Sequence, residues 1–261
     1  MNLFEKKLSI RGKRLEVAWH GPGPADAPTL IFLHEGLGCI DMWQGFPAGL
    51  AAATGLGALV YSRAGYGASD PCSLPRPLDY MTDEGLNVLP ELIAASGIRE
   101  CVLVGNSDGG SIAIIYAGGT TAAQLRGVIT LAAHVFCEAI SVQSIRQAKI
   151  DYEAGWLREK LKKYHGENTD TAFWGWNDAW LHPDFMKWNI EKFLSGVKVP
   201  ILVTQGENDK YGTGKQVDAI VSGVRGEVNS LMIPDCNHWP HLEHSVMMLQ
   251  VMTQFIKKVL K

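Results

Sequence analysis

Short, mostly apolar runs alternate along this chain with longer stretches of mixed character. The clearest runs are Thr29–Leu33, 58–61, 102–104 and 128–132, and segments 199–204 and 229–233 read as the last members of the series. A strand covered on both faces of a parallel sheet has no polar side, so it reads as a continuous apolar run. The mixed stretches 42–54, 79–96, 111–117, 213–222 and 241–260 have the length and apolar content of helices. Segments 3–10 and 14–19 instead alternate polar and apolar residues about Arg11-Gly12-Lys13, which predicts a hairpin at a sheet edge. The rhythm therefore predicts an α/β fold, with a mostly parallel central sheet of about eight strands and helices on both faces.

That rhythm stops at His134 and resumes at Val199. The gap predicts a helical insertion after the sixth strand, residues 134–197, which divides the core into 1–133 and 198–261. It carries Trp156, Trp174, Trp176, Trp180 and Trp188, five of the eight tryptophans, together with Phe173, Phe185 and Phe193. Most of these aromatics are expected to form the insertion's own core. Trp176 and Trp180, four apart, share a helix face. Trp174 and Trp176 are the candidates to line a pocket between insertion and sheet.

Composition narrows the function classes. The formal net charge is -3, and basic residues gather only in 158–163 and at Lys257-Lys258, which leaves no footprint for nucleic acid or a membrane surface. The N-terminus lacks a secretion-signal pattern, and no stretch is long and apolar enough to span a bilayer. Five cysteines without a C-x-x-C pair argue against a disulfide framework and a zinc site, so a reducing cytoplasm is the expected compartment. Gly212-Thr213-Gly214-Lys215 lacks the first glycine of a phosphate loop and Gly65-Tyr66-Gly67 lacks a third glycine, so no cofactor and no metal are expected.

The candidate chemistry begins where the 102–104 run meets the next helix. Gly105-Asn106-Ser107-Asp108-Gly109 is G-x-S-x-G between a strand and a helix, the context in which a sharp turn lifts a serine hydroxyl above the sheet. Gly105 and Gly109 lack the Cβ that would collide there, and Gly110 lets the helix lie close to the next strand. A serine hydroxyl needs a base to take its proton, and the base needs a group to hold its tautomer. Asp209 follows the 199–204 run within Gly206-Glu207-Asn208-Asp209, and His238 follows the next run. Glu207, Asp235 and Glu138 are rival carboxylates, and His241 and His244 crowd His238. Pro240 suits the first position of the last helix, which puts those two imidazoles in its first turns and favours His238 as the base.

With these pieces together the chain resembles the α/β-hydrolase-fold family over essentially its whole length. The matching segments are HEGLG at 34–38, SRAGYGASD at 62–70, GNSDGG at 105–110, GEND at 206–209 and NHWPHLE at 237–243. The resemblance implies Ser107 as nucleophile, Asp209 as orienting acid and His238 as base, with the backbone amides of Gly36 and Asp108 as oxyanion-hole donors. It also implies that the insertion is the family's cap. One residue departs from the pattern: the family usually has His-Gly after the third strand, and this chain has His34-Glu35. Glu35 either pairs with Arg63 or faces the pocket, and His34 and Glu35 join the candidates for substrate contact.

By the same resemblance a serine nucleophile argues against the dehalogenase and epoxide hydrolase branch. It implies hydrolysis of esters, thioesters or lactones of small to medium apolar or aromatic substrates through an acyl-enzyme. One alternative is C–C bond hydrolysis of dicarbonyl ring-cleavage products, which needs a cationic clamp such as Arg146 or Arg158. Another, from a different class, is a ligand sensor with slow or no turnover. The expected partner is a small-molecule substrate, with a homodimer left open.

Overall fold

The computed structural model describes residues 7–261. The predicted hairpin is present as β1 (Lys7–Ile10) and β2 (Lys13–His20), and the part predicted over residues 3–6 lies outside the described residues. β3 (Thr29–Leu33) follows, then a 3-10 turn (Ile40–Trp43), α1 (Phe46–Thr54) and β4 (Gly57–Tyr61). Next come α2 (Tyr80–Asp83), a π-helical turn (Glu84–Val88), α3 (Leu89–Ala95), β5 (Cys101–Asn106), α4 (Asp108–Gly119) and β6 (Leu125–Leu131). Between β6 and the next strand the chain leaves the sheet for α5 (Ala139–Glu153), α6 (Trp156–His165) and α7 (Thr169–Leu181). It returns as β7 (Ile201–Gly206), α8 (Gly214–Gly223), β8 (Val228–Ile233), α9 (Pro240–Glu243) and α10 (Ser245–Val259).

The eight strands form one sheet in the order β1-β2-β4-β3-β5-β6-β7-β8, parallel from β4 to β8 and antiparallel at β1 and β2. Because side chains alternate along a strand, each apolar run feeds two cores. Ile31 and Leu33 of β3, with Leu103 of β5, pack on the face carrying α3, α4 and α8. Leu30, Phe32, Val102 and Val104 pack on the opposite face, carrying α1 and α10. Among the described residues no helix is long and apolar enough to cross a membrane.

Three predicted helices are broken. Segment 42–54 is interrupted at Gln44, whose φ of 52° ends the 3-10 turn before Pro47 starts α1. Segment 79–96 passes through the π turn just before Pro90, which has no N–H to continue a regular ladder. Segment 241–260 is two helices that meet at His244.

The join between β5 and α4 is the tightest part of the core. A Cβ on Gly109 would stand 1.9 Å from the Leu33 carbonyl oxygen, and one on Gly110 would stand 2.7 Å from the Ala133 Cβ. Both contacts are closer than any side chain tolerates, and at Gly109 the obstacle is backbone. Gly109→Ala is therefore expected to destabilise the protein by on the order of 3 kcal/mol through overpacking. A thermal melt that matches wild type would show that α4 can back away from β3 at no cost.

Candidate active site

Ser107 occupies the bend between β5 and α4 with φ 52° and ψ -118°, a conformation that L residues rarely adopt. Three partners hold it there. Its N–H donates to the Leu131 carbonyl at 2.8 Å, the Ser111 N–H returns to the Ser107 carbonyl at 3.0 Å, and Gly109 allows α4 to press against β3. The residue is 6% exposed and lines a cavity of about 130 Å³ between the sheet edge and α5–α7.

His238 lines the same cavity and comes from the loop after β8. Its Nδ1 lies 2.8 Å and 2.9 Å from the two carboxylate oxygens of Asp209, in the loop after β7. Since a carboxylate only accepts, Nδ1 carries the proton and Nε2 is left with a lone pair. Asp209 is itself held by the Gln205 amide at 2.9 Å and the Tyr211 N–H at 2.8 Å. Burial alone would push His238 down. The Asp209 charge and hydrogen bond, helped by Glu35 and Asp108, outweigh that and hold the imidazole above its usual value. The same pairing overcomes burial at Asp209 and holds its carboxyl low. Ser107 Oγ and His238 Nε2 are not hydrogen-bonded in this geometry, as is common before a substrate closes the contact.

The rival groups have other occupations. Glu138 accepts from the Thr213 N–H and hydroxyl and from the Gln216 amide, at the start of α8. His241 is buried against Trp43 and Phe46, and His244 is exposed beside the Asp235 carbonyl. Among the described residues no three His, Cys, Asp or Glu side chains converge as metal ligands.

The loop after β3 is organised by Arg63. Its guanidinium donates to the carbonyls of His34 at 2.5 Å and Glu35 at 2.9 Å, and its N–H donates to His34 Nε2 at 3.0 Å. His34 Nδ1 then donates to the Glu35 carbonyl at 2.7 Å, so both ring nitrogens are spent on the loop. The expected ion pair between Arg63 and the Glu35 carboxylate is not made, because two buried carbonyls claim the guanidinium first. His34 holds the loop and is absent from the cavity that contains Ser107.

This clamp has a consequence for Gly36. The Glu35–Gly36 peptide is trans, so its C=O and N–H point in opposite directions. With the Glu35 carbonyl fixed by Arg63, His34 and the Gly38 N–H, the Gly36 N–H faces away from them and has no acceptor among the described residues. Gly36 lines the Ser107 cavity, and a Cβ there would stand 2.2 Å from Trp176 Nε1. Asp108, also in the lining, is the first residue of α4, where an N–H has no intrahelical partner. Its carboxylate accepts from the Tyr80 hydroxyl, which accepts from the Trp180 N–H at 3.1 Å.

Trp176 and Trp180 both border the cavity. Trp174, expected beside Trp176, does not. It turns the other way, into Tyr152, Phe173 and the Lys149 ammonium. Of the cationic candidates, Arg158 is paired with Asp170 at 2.7 Å and neither it nor Arg146 reaches the cavity, whereas Lys160 does. Gln205, Tyr211, Tyr80 and Lys160 were outside the sequence expectation, and Arg63 was expected at Glu35 but not as the clamp of the loop after β3. Only Gln205 and Tyr211 carried a signal, as neighbours of Asp209.

A family model described as the alpha/beta hydrolase family matches residues 30–248. The chain belongs to the alpha/beta hydrolase family. No curated protein matches it in sequence. Solved structures do resemble it. Proline iminopeptidase from Mycobacterium smegmatis aligns with a TM-score of 0.67 at 20% identity, over 97% of each chain. The enol-lactonase from Burkholderia xenovorans aligns at 0.70 and 17% identity, over 96% of this chain and 99% of that one. An epoxide hydrolase from metagenomes of hot environments aligns at 0.74 and 19% identity, over 98% and 99%. At such identities the likeness is one of fold, and the choice among chemistries rests on the side chains of this alpha/beta hydrolase.

Proposed function

We propose that this alpha/beta hydrolase cleaves carboxylic esters, thioesters or lactones of small to medium apolar or aromatic substrates, through an acyl-enzyme on Ser107. The observation that carries the reading is that the strained Ser107 shares one cavity with His238, whose Nδ1 is bonded to Asp209. In the first step Ser107 Oγ bonds to the substrate carbonyl carbon and gives its proton to His238 Nε2. The oxyanion that forms is received by the free N–H groups of Gly36 and Asp108. When the carbon–leaving-group bond breaks, His238 passes that proton to the departing oxygen or sulfur. Water then attacks the acyl-enzyme, with His238 taking its proton and returning one to Ser107.

The apolar lining of Ile145, Leu157, Leu161, Trp176 and Trp180 sets the acyl preference, and α5–α7 act as a cap over it. Neither residue suggested as a clamp for the C–C hydrolase alternative supports it here: Arg158 is paired with Asp170, and Arg146 does not line the cavity.

Turnover of a panel of p-nitrophenyl esters, thioesters and lactones tests the reading, together with fluorophosphonate labelling followed by intact mass. A protein that is neither labelled at Ser107 nor active on any member of the panel is not this hydrolase.

A pH profile follows from the same geometry. The base must be neutral to accept a proton, and its pairing with Asp209 holds His238 above the free imidazole value of about 6.5. The acid limb of kcat/KM is expected to fall off above that value, with activity rising toward alkaline pH. A limb centred well below about 6 would mean that a different group titrates.

A further inference from the structure

A second cavity of about 200 Å³ adjoins the one containing Ser107. Five residues border both: Glu35, Met42, Lys160, Tyr164 and Trp239. Glu35 is the departure from the family pattern, and its carboxylate is pinned. Oε2 accepts from the Leu37 N–H at 2.6 Å, while Oε1 has no partner among the described residues. His238 and Arg63 attract it from a distance, but no side-chain cation pairs with it at contact. Arg63 is committed to main-chain carbonyls, and Lys160, which borders both cavities, makes no ion pair with it among the described residues. Asp108 lines the same cavity and keeps Oδ1 buried without a partner. Thus Glu35 and Asp108 line the cavity that also carries the free amides of Gly36 and Asp108, where the proposed reaction develops negative charge. Burial raises both carboxyls, which marks the absence of full compensation.

An ionised carboxylate beside a forming oxyanion raises the barrier unless a positive group stands between or beside them. His238 and Arg63 offset that charge without touching Glu35 Oε1, which leaves this oxygen as a contact site for a cation carried by the substrate. Resting on the reading of Ser107 as nucleophile, we propose that Glu35 is a specificity-determining residue. Its free oxygen receives the protonated amine of an aminoacyl substrate, whose amino group lies beside the reactive carbonyl and whose apolar or aromatic side chain lies under Trp176 and Trp180. A site that leaves a buried polar group unpaired with the wrong ligand rejects that ligand strongly.

The test compares phenylalanine p-nitrophenyl ester with 3-phenylpropionate p-nitrophenyl ester, which differ only in the amine, in wild type and Glu35→Gln. Gln keeps a carbonyl oxygen for the Leu37 N–H. Wild type is expected to prefer the amino ester by about 100-fold in kcat/KM. In Glu35→Gln the preference collapses to a few-fold or less, and turnover of the ester without an amine rises. A role confined to holding the loop would lower both esters together. Calorimetry on Ser107→Ala, with phenylalaninamide against 3-phenylpropanamide, reads the same preference without turnover and separates this proposal from the hydrolase reading. If wild type handles both esters alike and Ser107→Ala binds both amides alike, or if the preference survives in Glu35→Gln, the assignment of Glu35 is overturned. If the amide preference is present but fluorophosphonate leaves Ser107 unlabelled, Glu35 stands and the acyl-enzyme reading falls.

Discussion

Ser107→Ala is expected to lower kcat on p-nitrophenyl esters by about 10⁶-fold, the scale seen when a serine hydrolase loses its nucleophile. The substitution removes one buried oxygen and keeps the Cβ, so it leaves the bend and its φ of 52° as they are. Asp209 and His238 stay bonded to each other, because neither depends on the Ser107 hydroxyl. Residual turnover would come from the two free amides and the cavity alone. The measurements are steady-state kinetics on the panel and intact mass after fluorophosphonate treatment, with a melting curve to show that the variant is folded. If Ser107→Ala keeps wild-type activity, the strained serine is an architectural feature and acyl transfer through it is wrong.

Much of the frame behind that expectation was legible in the sequence, for a physical reason. β3, β4 and β5 are covered on both faces, and residues with no solvent-facing side leave an unbroken apolar run. Ser107, Asp209 and His238 follow strand ends, so finding the strands located the candidates. What escaped was set by contacts distant in sequence. Tyr80 and Trp180 meet over Asp108 from a hundred residues apart, and no local pattern announces such a pair. The expected pairing of Glu35 with Arg63 failed because the sequence displays side chains and conceals the buried carbonyls of His34 and Glu35 that compete for the guanidinium. The two neighbouring tryptophans could be nominated together but not separated. Positions two apart on a helix face different directions, and only the seating of α7 decides that Trp176 borders the cavity while Trp174 packs on Tyr152.

Asp209→Asn is expected to cost about 10⁴-fold in kcat near neutral pH while leaving the protein folded. The carboxylate at this position accepts from three directions: Gln205, the Tyr211 N–H and His238 Nδ1. Asparagine has one oxygen and one NH₂ in the same space. If the oxygen serves Gln205 or the Tyr211 N–H, the NH₂ faces Nδ1 as a donor, and the imidazole proton must move to Nε2. The lone pair that would accept the Ser107 proton is then lost. The charge that holds His238 high is lost with it, so the acid limb of the residual activity should move to lower pH, because burial then acts unopposed by Asp209. A purely structural loss would lower the rate without moving the limb. Of the rival carboxylates, Glu138 follows the sixth strand, and it is occupied at α8 by Thr213 and Gln216. Glu138→Gln should therefore preserve the pH profile that Asp209→Asn displaces, and the reverse pattern would move the assignment from Asp209 to Glu138.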